Sequence, residues 1–488
     1  MMTQDSQPSP RPESPDSGSV SAPGSAPHST SVSAPGPGSS GERGSGLFFA
    51  SLRGVSRPWR AIDLAIILGI FLVTIGIAVP GILGYRGVSP IDEITHFDYA
   101  YKLAVDHHIP AAVEPLSDEA LSEWACRPSG WTSEELCDLA ETGEADTEEF
   151  PAVGLNYNGF HPPLYYFITG WIGRALSALT PLTLFAAMRV GSAVWLAAGL
   201  SACYLVVSRH SSRALGLAAA ALIGSTPAVS AFAFIVSPDS TAALAGAAAL
   251  FVALAASPPI LAAGLLAFVI ASTKLLLAIG ILCVSGVLFL TAPWRAQDRG
   301  RWALVLPSAL AGTAASALIS RLLTRWAGPS LPNPILGVST RPAEGEFVRP
   351  ILNMIGQNAS LARPYWFPDD LDSPFTQLVT NLFVPLVLAA PILALARRRW
   401  PMVVAGLSLL AGMLFTPVVI QIRELLTHGL YFPIIVSRYS IVFLPFALAL
   451  ALLALRDREK TVPVALTAGG IGVLLLALHA VGLVHHLL

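Results

Sequence analysis

The sequence has little charge and no excess of either sign. Only 12% of its 488 residues are Asp, Glu, Lys or Arg, about half the share found in soluble domains. The 29 basic and 31 acidic residues leave a net charge of −2. No basic stripe with interleaved aromatic residues follows the chain, so nucleic acid is excluded as a partner. Four cysteines are too few for a fold held together by disulfides.

The sequence is instead rich in hydrophobic residues. They form 53% of the chain, and the mean hydropathy is +0.63. Several apolar runs approach or exceed the roughly 18–20 residues that a helix needs to cross a bilayer. Because lipid cannot hydrogen-bond the backbone, spanning segments of this kind must be helical. The sequence therefore predicts an all-α polytopic protein embedded in a lipid bilayer.

The first 58 residues differ from the rest. Residues 1–58 are rich in Ser, Pro and Gly and have few large apolar side chains, so they are predicted to form a disordered tail. Arg53, Arg57 and Arg60 directly precede the first apolar run, at 62–83. The positive-inside rule places the tail in the cytoplasm and directs the first span outward.

One apolar stretch, residues 163–179, decides the topology of the predicted transmembrane domain, residues 59–488. If this stretch crosses the membrane, the basic clusters near positions 209, 295, 397 and 456 partly face outward. If it lies in the outer interface, all four clusters face the cytoplasm, which the positive-inside rule favours. The second version has outer loops at 84–184, with juxtamembrane helices, and at 324–375. The eleven predicted spans are 62–83, 185–207, 213–235, 240–256, 258–272, 274–292, 303–323, 376–396, 401–420, 438–455 and 462–484.

Two of the cysteines fall in the first outer loop. Cys126 and Cys137 lie outside the cytoplasm on this topology, where a disulfide can persist. A bridge and two free thiols are equally compatible with the sequence.

The most informative segment is the polar stretch after the first span, with the sequence PIDEITHFDYA at 90–100. Asp92, Glu93, His96 and Asp98 place four ionisable side chains within seven residues of one another beside the membrane, which is costly unless they are solvated, paired or used. Asp92 and Glu93 are the candidate catalytic residues, with Asp92 as general base. The alternative for Asp92 is to cap the helix that begins there. His96, one helical turn later, orients the carboxylate, binds a metal or has a structural role.

More polar residues fall on the same side of the membrane on this topology. Asp239 follows a Ser-Pro pair between two spans and is either a site carboxylate or a turn and helix cap. Lys274 lies between two apolar runs and either pairs with Asp239 or holds a phosphate. Arg325 and Arg438 flank spans at their outer ends, where a guanidinium matches the geometry of a phosphate. The alternative for Arg438 is an interfacial anchor.

Several short motifs, taken in order, resemble those of the GT-C membrane glycosyltransferases, in particular protein O-mannosyltransferases and lipid A aminoarabinose transferases. They are the Asp-Glu pair after an outward first span, His161-Pro162-Pro163-Leu164-Tyr165-Tyr166, Ser237-Pro238-Asp239, Ser272-Thr273-Lys274 and Ser437-Arg438-Tyr439. Aminoarabinose transferases have a lysine where this sequence has His161. The resemblance implies a GT-C fold, a juxtamembrane helix at 163–179, Asp92 as the base and Asp239 as the second acidic site.

The resemblance also implies an activity. It is the inverting transfer of a sugar from a polyprenyl-phosphate donor to a cell-envelope acceptor (glycan, lipid or protein) at the outer face of the cytoplasmic membrane. The residues expected to bind the donor and its phosphate are His96, His161, Asp239, Lys274, Arg325 and Arg438. No cofactor is expected, and nothing in the spacing of the carboxylates and histidines requires a divalent metal. The rival hypotheses are a transporter or flippase of a lipid-linked envelope precursor and a GT-C relative without catalytic activity.

Overall fold

The computed structural model describes residues 60–111, 113–127, 133–294, 298–324, 341–342, 374–428, 430–431, 437–456, 463–472 and 474. The predicted tail, residues 1–58, and Arg325 lie outside the described residues. Within them the regular structure is helical apart from two short strand pairs, so the all-α prediction is confirmed.

The helices are numbered in chain order. They are α1 Ala61–Gly84, α2 Glu93–Ala104, α3 Asp118–Ala125, α4 Glu134–Thr142, α5 Leu164–Leu179, α6 Leu184–His210, α7 Arg213–Gly224, α8 Pro227–Ser230, α9 Ala242–Ala253, α10 Ile260–Thr273, α11 Ile279–Thr291, α12 Arg299–Ala303, α13 Val305–Leu323, α14 Pro374–Ala396, α15 Trp400–His428, α16 Phe443–Leu455 and α17 Pro463–Gly472. The strands are β1 Glu114–Pro115, paired antiparallel with β2 Leu155–Asn156, and β3 Arg341–Pro342, paired antiparallel with β4 Leu430–Tyr431.

Several of these helices are suited to a membrane, and the protein is multi-pass. Among the described residues, four are long and apolar enough to cross: α1, α6, the continuous pair α12–α13, and α15. A bent pair formed by α7 and the segment from Pro227 to Ala233 would make a fifth. The other apolar helices are shorter, so the predicted count of eleven spans is not confirmed.

The predicted span 213–235 is wrong as a single helix. Helix α7 ends at Gly224, and the chain turns by 72° before it continues from Pro227. Proline has no backbone N–H and disfavours a helical conformation in the residue before it. Thr226 accordingly has an extended backbone, with φ −78° and ψ 120°. The turn leads the chain towards Asp239.

The segment between α1 and α6, together with the beginning of α6, forms most of a second, smaller hydrophobic core beside the transmembrane one. Its largest fully buried side chains are Phe97, Tyr99, Tyr165, Tyr166 and Phe185. Helix α5, with 16 residues, is about 24 Å long and is not among the span candidates.

Helix α5 lies directly on α2. A Cβ atom at Gly170 would lie only 2.5 Å from the carbonyl oxygen of Ala100, so the two helices approach as closely as they do only because position 170 has no side chain. In the same loop a disulfide joins Cys126 at the end of α3 to Cys137 in α4, which decides between the two alternatives left open by the sequence.

Candidate active site

Asp92 is the residue before the first turn of α2, and its side chain does not cap that helix. Its backbone is left-handed, with φ 58° and ψ 15°, and its carboxylate makes no capping hydrogen bond. Instead, Oδ1 accepts a hydrogen bond of 2.9 Å from the Tyr157 hydroxyl. Oδ2 accepts one of 2.8 Å from the Arg438 guanidinium, with the two side chains 15% and 13% exposed. The capping alternative is therefore wrong, and the carboxylate faces Arg438.

The surroundings of Asp92 keep it ionised. Burial opposes the negative charge, but the charge of Arg438, with the hydrogen bonds from Arg438 and Tyr157, outweighs it and holds the pKa of Asp92 at about 2. Burial also opposes the charge on Arg438, and the neighbouring Asp92 nevertheless raises its pKa above the usual value. The two groups form a partly buried ion pair in which each stabilises the charge of the other.

The side chain of Glu93 points away from the Asp92 carboxylate and into the protein. Its side chain is 0% exposed and paired with Arg189, whose Nε lies 2.8 Å from Oε1. Its oxygens also accept hydrogen bonds from the backbone N–H groups of Ser89, at 2.8 Å, and Val236, at 2.9 Å. The prediction of Glu93 as a catalytic residue is therefore corrected, because its carboxylate is enclosed and fully engaged by the protein.

His96 and His161 lie side by side, with ring centroids 5.8 Å apart. His96 Nδ1 is 2.9 Å from the Tyr166 hydroxyl, and the His161 carbonyl accepts a 3.0 Å hydrogen bond from Tyr99. Burial, and then the neighbouring His161, lower the pKa of His96 well below its usual value. Burial, and then the charge of Lys274, lower the pKa of His161 to about 3. Both rings are therefore neutral at physiological pH.

Asp239 and Lys274 form a second ion pair. Lys274 Nζ lies 2.6 Å from Asp239 Oδ1, and the two side chains are 7% and 1% exposed, respectively. Lys274 has an extended backbone between α10 and the next helical turn, a break that leaves its side chain free to point towards Asp239. Ser237, not Asp239, caps the turn Pro238–Thr241, because its Oγ accepts from the Asp239 N–H. The sequence alternative in which Lys274 pairs with Asp239 is confirmed.

The two ion pairs belong to one site. The charges of Asp92, Lys274 and Arg438 all act on His161, and that of Asp239 acts on Arg438. Two buried polar atoms of this site have no hydrogen-bond partner within the described part of the chain: Asp239 Oδ2 and Arg438 Nε. Buried groups of this kind are costly unless something fills the partner position. The structure thus brings together all the predicted site residues except Glu93, which turns away, and Arg325, which is not described.

Sequence reasoning missed two residues that define the site. Tyr157 comes from the loop between β2 and α5, and nothing in its neighbourhood distinguishes it. Arg189 does carry a signal, because it lies within the apolar run of α6, where an unpaired charge would be expensive. That signal indicates a buried acidic partner without identifying Glu93.

One group of side chains in the described part of the chain has the spacing of a metal site, and it lies away from Asp92. Among the described residues, the single group of three potential ligands within mutual reach is Cys126, Cys137 and Glu141. Its cysteines form the disulfide and so cannot serve as thiolate ligands. The expectation that no metal is required at Asp92 stays a prediction.

No protein-family model and no curated protein matches this chain. Among the solved structures similar to it are two of ArnT from Cupriavidus metallidurans, both at 14% identity. The structure bound to undecaprenyl phosphate has a TM-score of 0.45 and aligns over 84% of this chain and 62% of that one. The apo structure has a TM-score of 0.46, with 82% and 60%. This chain thus spans about three fifths of the length of the two ArnT chains.

Proposed function

We propose that this protein is an integral membrane glycosyltransferase that transfers a sugar from a polyprenyl-phosphate donor to a cell-envelope acceptor, at the outer face of the cytoplasmic membrane. One observation above all supports the proposal. Asp92 is paired with Arg438 beside the Asp239–Lys274 pair, and both Asp239 Oδ2 and Arg438 Nε lack partners among the described residues. The site thus combines a carboxylate that can act as base, two cations that can bind a phosphate, and a carboxylate oxygen, Asp239 Oδ2, that can accept a hydrogen bond from a sugar hydroxyl.

Donor binding would begin at Arg438. A guanidinium offers a planar fork that matches two phosphate oxygens, and its unpartnered Nε is available for one of them. Lys274 supplies a second, point-like positive charge. Because the phosphate would compete with Asp92 for Arg438, donor binding would weaken the ion pair that holds the pKa of Asp92 at about 2. The carboxylate becomes a better base when the donor is in place.

The transfer would then be a single inverting displacement. The acceptor hydroxyl oxygen attacks the anomeric carbon while Asp92 takes the hydroxyl proton. The bond from that carbon to the phosphate oxygen breaks, and polyprenyl phosphate leaves with the electron pair, next to Arg438 and Lys274. Asp239 Oδ2 would accept a hydrogen bond from a hydroxyl of the sugar, and the neutral His96 and His161 would line the sugar site. Arg325 stays a proposed phosphate ligand.

The test uses the purified full chain in liposomes. Labelled polyprenyl-phosphate sugars are offered one at a time with envelope fractions as acceptors. The expected result is transfer of label from one donor class, inhibited by undecaprenyl phosphate, the ligand in one of the compared ArnT structures. Failure of transfer with every donor would contradict the proposal. Passage of the lipid-linked sugar across the liposome bilayer without transfer would support the flippase hypothesis. Binding without either event would support a non-catalytic relative.

A further inference from the structure

The buried pair formed by Glu93 and Arg189 connects three parts of the chain. The Arg189 guanidinium lies 2.8 Å (Nε) and 2.9 Å (Nη2) from the two oxygens of Glu93. It also donates to two backbone carbonyls after α1, those of Tyr85 at 2.9 Å and Gly87 at 2.6 Å. Glu93 in turn accepts from the N–H of Val236 at 2.9 Å. Helix α6, the segment 85–93 and the segment at Val236 therefore meet at this junction.

The two carboxylate residues of the site, Asp92 and Asp239, lie close in sequence to residues of this junction. Asp92 is the neighbour of Glu93, and Asp239 follows Val236 by three residues, within the turn capped by Ser237. The two segments come from sequence positions 143 residues apart, and the hydrogen bond from Val236 to Glu93 joins them directly. Moving the junction would therefore change the distance between Asp92 and Asp239.

We propose that Arg189 is a positioning residue that sets the distance between the Asp92–Arg438 pair and the Asp239–Lys274 pair. The inference depends on the proposed function for its effect on turnover, but the junction itself does not. Arg189 is not a catalytic residue, because its guanidinium is 1% exposed and all its contacts are with the protein.

The arrangement of the acceptor atoms around residue 189 requires a guanidinium. One planar group bridges two carboxylate oxygens and two carbonyls, and it lies over the rings of Phe185, at 4.4 Å, and Tyr85, at 4.8 Å. An ammonium carries the same charge but cannot hold this set of acceptors in one plane. Arg189→Lys should therefore preserve the charge balance of the pair and lose its geometry.

The chain contains a matched control. Arg213 contacts Asp63 with the same two-pronged arrangement, at 2.7 and 2.8 Å. That pair lies at the beginning of α1, and the other end of this 24-residue helix is about 36 Å away. Arg213→Lys makes the same chemical change far from Asp92 and should affect stability without affecting turnover.

The experiment compares the two variants in three measurements: melting temperature, steady-state transfer and amide hydrogen exchange. Arg189→Lys is expected to lower turnover at saturating donor about 100-fold, the cost of a misplacement on the order of 1 Å, while KM for the donor changes only a few-fold. Exchange at Ser89 and Val236 should become faster. Arg213→Lys is expected to keep wild-type turnover and wild-type exchange at these two amides.

Two outcomes would overturn the inference. One is wild-type turnover in folded Arg189→Lys. The other is a loss of turnover that Arg213→Lys reproduces at the same loss of melting temperature, since that would be a general effect of stability. If Arg189→Lys does not fold, Glu93→Gln is substituted, which keeps the size of the side chain and removes its charge. If the wild-type protein transfers no sugar, the proposed function fails, and hydrogen exchange at Ser89 and Val236 still decides whether Arg189 holds the junction.

Discussion

At the residue scale, the adjacent acids Asp92 and Glu93 have opposite environments. Glu93 is enclosed, with Arg189 and two backbone N–H groups as its partners. Asp92 precedes the helix in a left-handed conformation, so its side chain leaves the chain in another direction and reaches Tyr157 and Arg438. A non-glycine residue in this conformation is strained, and such strain is often found at functional sites. The pair therefore divides into a supporting acid and an available one.

The first prediction concerns Asp92 as a base. Asp92→Asn keeps the size of the side chain and can still accept from Tyr157, but it cannot take up the acceptor proton. Turnover should fall by roughly 10²–10⁴-fold, the usual contribution of a positioned base, while undecaprenyl phosphate still binds. Asp106→Asn, at an exposed position just beyond α2, should have wild-type turnover. Sugar transfer by Asp92→Asn at the wild-type rate would show that another group is the base.

The second prediction concerns pH and the Asp92–Arg438 pair. The pKa of Asp92 is lowered from 3.8 to about 2 in the folded protein. The pair therefore stabilises the fold fully above pH 4, and its contribution is lost as the pH falls from about 4 to about 2. A shift of this size corresponds to about 2 kcal/mol. The melting temperature of the wild-type protein in detergent should fall in this window more steeply than that of Asp92→Asn. If the melting temperatures of the two proteins fell in parallel between pH 4 and pH 2, the stabilising Asp92–Arg438 pair would be contradicted.

At the scale of elements, helix ends and breaks place the site residues. Asp92 precedes α2, Lys274 follows α10 in an extended conformation, and Arg438 lies in the turn before α16. Asp239 follows the 72° bend between α7 and Pro227. Side chains within a continuous helix mostly face lipid or neighbouring helices, whereas residues at breaks can point into a shared cavity. The helix ends and breaks that make these helices short therefore also bring the site residues together.

The third prediction concerns the helical loop beside the site. The disulfide between Cys126 and Cys137 closes a loop with a sequence separation of 11 residues, and a loop of this length is expected to contribute about 3 kcal/mol. Replacing both cysteines by serine should lower the melting temperature of this loop, measured by the exposure of Trp124 through its fluorescence. Reduction of the wild-type protein should have the same effect and should leave the double variant unchanged. A wild-type protein insensitive to reduction would contradict the presence of the bridge.

At the scale of the whole molecule, polar groups from distant parts of the sequence meet at one place. The hydrogen bond from Arg438 to Asp92 joins residues 346 positions apart. The arrangement gathers charged residues at one end of apolar helices and encloses them, since lipid cannot solvate an isolated charge. The topology predicted from the basic clusters places this end of the helices at the outer face of the membrane. That orientation stays a prediction.

The fourth prediction tests this topology. Asp146→Cys and Asp298→Cys introduce thiols at exposed positions. The background has the two cysteines outside the disulfide, Cys203 and Cys283, replaced by alanine. An impermeant maleimide added to intact cells should label position 146 and not position 298, whereas a permeant maleimide should label both. Labelling of position 298 from outside would contradict the predicted cytoplasmic location of this loop and would remove the support for an interfacial α5.

The sequence by itself determined the class of the protein and most residues of the candidate site. Low charge and long apolar runs require a helical membrane protein, because the cost of placing charge and unpaired backbone in lipid acts on each segment locally. For the same reason, charges beside such runs are few and stand out, and this made Asp92, Asp239, Lys274 and Arg438 recognisable.

Only the tertiary structure decided how these residues are paired. Whether Asp92 or Glu93 is enclosed depends on Arg189, which is 96 residues from Glu93, and on Tyr157, which is 65 residues from Asp92. The broken helix at Pro227 and the choice between bridged and free cysteines likewise depend on packing between separate segments. A local pattern fixes which residues must find partners, but partners that are distant in sequence are selected by the packing of the whole chain, which no single segment encodes.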